Sequence, residues 1–136
     1  MKVLDASIAL KWFVGSEPLA NEARAILDDI ESDPRPYVVP ELFMNELLAV
    51  LSRLPGMTTG QLREALSLVE SLGLARIANG HELLATAAAF AVEWRVSGYD
   101  ATYLALATLT DGVWLTADER AAKRVPRKGL VRLLSR

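Results

Sequence analysis

MKVLDASIALKWF, residues 1–13, changes its periodicity at a single acidic residue. Lys2 to Asp5 reads as a short strand built on Val3 and Leu4, and Ala6 to Val14 reads as a helix. Asp5 stands at the junction. The same order recurs near the other end, in VWLTADERAAKRV, residues 113–125. There Val113 to Thr116 reads as a strand, a short helix follows to about Val125, and Asp118 lies just past the strand. A strand that passes into a helix at a polar residue is the opening of a β–α–β unit, so the two stretches place the chain in the α/β class.

The residues between them keep the alternation. Pro18 and Leu19 open a helix to about Ile30, and the prolines of Ser32–Pro36 make a turn. Tyr37 to Val39 is the second strand. Glu41 to Leu54 is helical, with Phe43, Leu47, Val50, Leu51 and Leu54 on one face, and Pro55-Gly56 stops it. Thr59 is expected to cap a helix from about Gly60 to Leu72, ended by Gly73. Ala75 to Ala78 is the third strand. Asn79 or Gly80 then leads into a helix carrying Leu83, Ala87, Phe90 and Trp94 in register. Ser97-Gly98 breaks the chain, Asp100 starts another helix to about Asp111-Gly112, and Leu130 to Leu134 is a fifth strand. The expected architecture is one domain over residues 1–136. It is a three-layer α/β/α sandwich around a central, mainly parallel, five-stranded sheet. Ligands of open α/β sheets bind beyond the carboxyl ends of the strands, where Asp5 and Asp118 both lie.

Composition narrows the chemistry. With 136 residues, 51% of them hydrophobic, the chain is long enough for a real core and carries an apolar surplus that suits an oligomer or partner interface. The absence of cysteine excludes disulfides, thiolate metal sites and a cysteine nucleophile. One histidine, His81, leaves no His-pair metal motif. The apolar start carries Asp5 and Lys11 and runs straight into folded pattern, which reads against a signal peptide. No apolar run approaches the roughly 20 residues of a membrane span, and the cytoplasm is the expected compartment. Charge is uneven. Asp118 to Arg136 holds seven basic residues and two acids, a net of +5, which leaves −7 on the rest and −2 overall. That tail suits a polyanion or a solvated surface equally.

Four acids stand out. Asp5 ends a strand, Glu46 lies inside an apolar helix pattern, Asp100 opens a helix, and Asp118 follows a strand. Carboxylates are rarely buried without a cation or hydrogen bonds. Converging carboxylates with no basic partner in their motifs suit a hard divalent cation, Mg²⁺ or Mn²⁺, and hence phosphate chemistry. Each also has a plain structural role open to it. Asp5 and Asp100 can cap the helices that follow them, and Glu46 can be a surface residue. Thr116-Ala-Asp-Glu119 reads as a capping box that leaves Asp118 unexplained, apart from the helix dipole's preference for an acid.

Taken together, the local sequences resemble the PIN-domain family. VLDASIALKWF (3–13) is similar to its opening strand and helix, with an aspartate at Asp5 and a hydroxyl at Ser7. VPELFMNELLAVL (39–51) resembles its second motif at Glu46, and GYDATYLALA (98–107) its third at Asp100. VWLTADERAAKRV resembles its fourth, at Thr116 and Asp118. Size and form look like the VapC-type toxins of toxin–antitoxin pairs. The resemblance implies a Mg²⁺- or Mn²⁺-dependent endoribonuclease that leaves a 5′-phosphate and a 3′-hydroxyl. Asp5 and Asp100 would be the principal metal ligands, and Glu46 and Asp118 would complete the pocket directly or through water. Ser7 and Thr116 would orient carboxylates or water, with Asn45 a lesser candidate. The implied partners are an RNA substrate, a protein antitoxin and a second copy of the chain.

Other readings remain open. A receiver-like Mg²⁺-binding signalling domain shares the fold class, but it needs paired acids after the first strand and a phospho-acceptor aspartate after a middle one. Here Asp5 is single, and the strands of Tyr37 and Ala75 end in Pro40 and Asn79. A catalytically inert binding module on the same fold is a second alternative. A DNA-directed or flap-type nuclease is a third, and this short chain shows no DNA-binding insertion. Glu41 reads as serving a helix start. Lys11 reads as a solvated surface residue within reach of a phosphate, and Trp12 and Phe13 read as core.

Overall fold

A computed structural model describes all of residues 1–136. Its elements are β1 (Lys2–Leu4), α1 (Ala6–Phe13), α2 (Ala20–Ser32), β2 (Tyr37–Pro40), α3 (Leu42–Ser52) and α4 (Thr59–Glu70). They continue with β3 (Ala75–Ile77), α5 (His81–Trp94), α6 (Gly98–Leu109), β4 (Val113–Thr116), α7 (Glu119–Arg124) and β5 (Val131–Leu133). A single 3₁₀ turn, Lys128–Leu130, precedes β5, so the last strand is shorter than the apolar run around it.

The sheet order is β3-β2-β1-β4-β5, and every neighbouring pair is parallel. Strand residues point alternately to opposite faces. Val3 aligns with Val38 and Trp114, and these three pack with α5, α6 and α7. Leu4, Tyr37, Val39 and Leu115 face the other way, into α1 to α4. Two cores therefore lie back to back across one sheet, as a three-layer sandwich requires. The helical faces agree with the spacing of their apolar residues: Phe43, Leu47 and Leu51 of α3 are buried, as are Leu83, Ala87 and Phe90 of α5. Trp12 is buried too, and its indole donates to the Ala23 carbonyl at 2.9 Å.

The first three strands step outward from β1 to one edge. The chain then crosses to the other side of β1 and lays down β4 and β5. Reversing the direction of winding while keeping the crossover hand moves the helices to the opposite face. The switch falls between β1 and β4, and a crevice opens there at the carboxyl ends. Close approach at the start of this strand pair depends on Gly112. A Cβ there would meet the Met1 carbonyl oxygen at 2.3 Å, and the next residue, Val113, donates its N–H to that oxygen at 3.1 Å.

No helix is long and apolar enough to cross a membrane. One cap differs from the sequence expectation. Thr58, not Thr59, begins α4, accepting from Gln61 N–H while the Gln61 side chain accepts from Thr58 N–H. A glutamine three residues on decides between the adjacent threonines.

Candidate metal centre

Asp5 follows β1 directly and is 8% exposed. It caps α1, as one reading of the sequence expected. Its Oδ2 accepts from Ser7 N–H at 3.1 Å and from the Ser7 hydroxyl in a short hydrogen bond. Oδ2 also accepts from Thr116 Oγ1 at 3.1 Å, and Oδ1 accepts from the Trp114 indole N–H at 3.3 Å. Burial holds the Asp5 carboxyl above its usual pKa, and the donors from Ser7, Thr116 and Trp114 oppose that rise.

Ser7 and Thr116 stitch β1 to the exit of β4. Ala117 N–H donates to Ser7 Oγ at 3.0 Å, Asp118 N–H donates to Thr116 Oγ1 at 3.1 Å, and the two hydroxyl oxygens lie 3.4 Å apart. This corrects the capping box expected over Thr116–Glu119. Thr116 is still in β4, with its side chain committed to Asp5, so it cannot cap a helix. Asp118 is the N-cap of α7 and accepts from Ala121 N–H at 3.1 Å. The acid the box left unexplained is thus the cap itself.

Asp100 is the third residue of α6 rather than its start. Ser97 caps that helix and accepts from Asp100 N–H at 3.0 Å. The Asp100 carboxylate does not cap the helix and lies in its first turn, where the helix dipole favours it. Its pKa is pushed up to about 6 by burial first, then by repulsion from Asp5 and Asp118, while Ser97 and Arg124 pull it down. Glu46, in the second turn of α3, is pushed up to about 7. Burial is the main cause, and the charges of Asp5 and Asp100 add to it against the Tyr103 phenol. Asp5 is thus felt by Glu46 and Asp100, and Asp118 by Asp100. Four acids from four separate elements meet at the switch crevice, and none of them forms a salt bridge.

The donor set is all hard oxygen. Glu46 Oε1 is buried and no protein group donates to it. In this arrangement no three of the acids lie close enough together to hold a metal ion among them, so a cation here would take one or two carboxylates and water. Such a set fits Mg²⁺ or Mn²⁺, since Mg²⁺ takes one or two carboxylates and keeps several waters.

Two residues of this region escaped the sequence reading, Trp114 and Tyr103. Tyr103 lies one helical turn past Asp100, a spacing that puts both on one face of α6 and was legible. Nothing in the strand pattern of VWLT tells that the Trp114 indole reaches Asp5. The lesser candidates fall outside the acid cluster. Asn45 is exposed and lines a shallow groove with Glu41, Arg76 and Asn79. Lys11 donates to the Pro18 carbonyl at 2.7 Å. His81 is exposed at the start of α5.

A family model described as PIN domain matches residues 2–128. Among solved structures, the chain is similar to a toxin–antitoxin complex from Klebsiella pneumoniae, with a TM-score of 0.74, 17% identity, and coverage of 99% of this chain and 98% of that one. It is similar to VapC20 of Mycobacterium tuberculosis, a sarcin–ricin loop cleaving toxin, with a TM-score of 0.73 at 16% identity over 90% and 94%. It is also similar to VapBC2 of Rickettsia felis bound to promoter DNA, with a TM-score of 0.74 at 13% identity over 98% of each chain. At these identities the likeness is one of fold. No protein of curated function matches the sequence significantly.

Proposed function

The chain belongs to the PIN-domain family, and from that premise we propose that it is a Mg²⁺- or Mn²⁺-dependent endoribonuclease, the toxin of a toxin–antitoxin pair. One observation carries the reading: Asp5, Glu46, Asp100 and Asp118 converge at the switch between β1 and β4 without a basic partner in contact.

In this reading Asp5 and Asp100 hold the cation directly, and Glu46 and Asp118 complete its surroundings directly or through water. When bound, the ion activates a water for attack and neutralises charge on the scissile phosphate. Ser7 and Thr116 fix the Asp5 carboxylate in one orientation, through the hydrogen bonds that tie it to the end of β4. Glu46 and Asp100 are held above their ordinary pKa values, so a cation held by these residues would favour their charged forms. The expected products are a 5′-phosphate and a 3′-hydroxyl.

The partner surfaces support the same reading. An apolar groove of about 610 Å³ between α1, α2 and α4, lined by Trp12, Phe13, Leu27, Leu68 and Leu72, suits an amphipathic antitoxin segment. Leu84 and Val92 on α5 are exposed, and they suit a contact with a second copy.

The deciding experiment is RNA cleavage by purified protein with and without Mn²⁺ or Mg²⁺. Wild type should cleave only with metal. Asp100→Asn, which keeps the α6 cap intact, should fall by about 100-fold or more, the scale of a lost electrostatic contact at a reacting centre. Cleavage that survives chelation, or an undiminished Asp100→Asn, would overturn the assignment.

A further inference from the structure

Tyr103 Oη and Glu46 Oε1 are the only two buried side-chain polar atoms without a hydrogen-bond partner. They face the same pocket from α6 and α3. The phenol eases the charge on Glu46, and Glu46 in turn holds the phenol's pKa up, yet the two do not close a hydrogen bond of normal geometry. The ring itself is fixed: it is fully buried and stacks on Trp114 at 5.6 Å between centroids, with 18° between planes. Trp114 is the indole that donates to Asp5. One aromatic pair thus touches two of the four acids, and only its Asp5 half is joined.

A buried donor and a buried acceptor left open beside each other cost stability. The arrangement makes sense if a third charge completes it. We propose that Tyr103 is a positioning residue: with a divalent cation in the pocket, its hydroxyl donates to Glu46 Oε1 and leaves the other Glu46 oxygen for the cation or its waters. The proposal rests on the metal-dependent nuclease reading above and names a residue that reading does not use. The backing is physical. A carboxylate near a cation is aimed by the hydrogen bond on its far oxygen, and loss of such a partner commonly weakens metal binding by roughly 10- to 100-fold.

The test is Tyr103→Phe, which keeps the ring and its stacking and removes only the hydroxyl. Free Mn²⁺ is followed by electron paramagnetic resonance at fixed pH, with the full-length chain and no RNA. The melting temperature of the metal-free protein is measured alongside. We expect Mn²⁺ affinity to fall by about tenfold or more, with a metal-free melting temperature equal to or above wild type, because the hydroxyl removed was unsatisfied. Equal Mn²⁺ affinity in the two proteins overturns the proposal and leaves the nuclease reading standing. A metal-free melting temperature that drops in step with affinity makes Tyr103 a packing residue and also overturns it. Absence of Mn²⁺ binding by wild type removes both.

Discussion

Asp5 and Asp100 are chemically alike and structurally opposite. Asp5 spends both oxygens on protein donors from Ser7, Trp114 and Thr116, whereas the Asp100 carboxylate has only the Ser97 hydroxyl beside it. Neutralising them therefore has different consequences. In Asp5→Asn the amide must turn an N–H either toward the Trp114 indole or toward the Ser7 and Thr116 donors. That sets donor against donor, at a cost of about 1–3 kcal/mol. Urea denaturation should show this loss for Asp5→Asn and little change for Asp100→Asn, although both variants lose cleavage. Equal stabilities would mean the hydrogen bonds around Asp5 carry no net weight. The raised carboxyls also set a pH dependence with a definite sign. Between their ordinary values, 4.5 for Glu46 and 3.8 for Asp100, and the shifted ones of about 7 and about 6, the folded chain holds more protons than the unfolded chain. Their contribution to metal-free stability is fullest at the acid end and is lost as pH rises through that window. Metal affinity runs the other way, rising by about tenfold or more from pH 5.5 to 7.5 as those protons become easier to displace. Melting curves and Mn²⁺ titrations across the same buffers check both slopes, and parallel trends would refute the shifts.

Among the elements, α7 shows best what the pattern revealed and what it hid. A short helix after VWLT was legible from spacing. Its cap was not, because Thr116, Ala117 and Asp118 all stand where a cap can, and the choice depends on Asp5, more than a hundred residues away in the chain. The strand ends at Asp5 and Thr116 were readable locally; the hydrogen bonds that join them are tertiary and leave no periodic trace. The basic tail sorts in the same way. Composition could only name its residues together, and the structure divides them by what they already touch. Lys128 donates to the last carbonyls of α7, and Arg127 lies over the Trp94 ring at 5.8 Å. Arg124 is exposed, forms no salt bridge, and is the one cation that lowers the Asp100 pKa. It is held there because Ala121 on the same short helix, and Val125 just past its end, are buried in the core that contains Ala101. RNA held beside the acids should therefore lean on Arg124. Arg124→Gln is expected to weaken RNA binding and to lower the slope of log affinity against log salt by about 0.7, one phosphate's worth of counterion release. Lys128→Gln should leave that slope unchanged. Filter binding over a salt series checks both, and identical slopes for wild type and Arg124→Gln would place the RNA elsewhere.

At the scale of the whole molecule, two apolar surfaces remain on a fold whose cores are already covered. The groove beside Trp12 and the exposed Leu84 and Val92 lie on opposite sides of the sheet, since α1, α2 and α4 pack on one face and α5 on the other. A second copy and an antitoxin need not compete for one patch. Light scattering at micromolar concentration should give the mass of two chains, and Val92→Lys should shift it toward one. A wild type that scatters as a monomer removes the dimer. The order β3-β2-β1-β4-β5 has a further consequence, for the history of each molecule. The central strand is made first, yet one of its two neighbours, β4, starts only at Val113, and the last acid of the pocket is Asp118. No partial product of translation that stops before that residue contains the full set. The pocket is therefore complete only once the chain has been extended more than a hundred residues past Asp5, through β4 and into the start of α7.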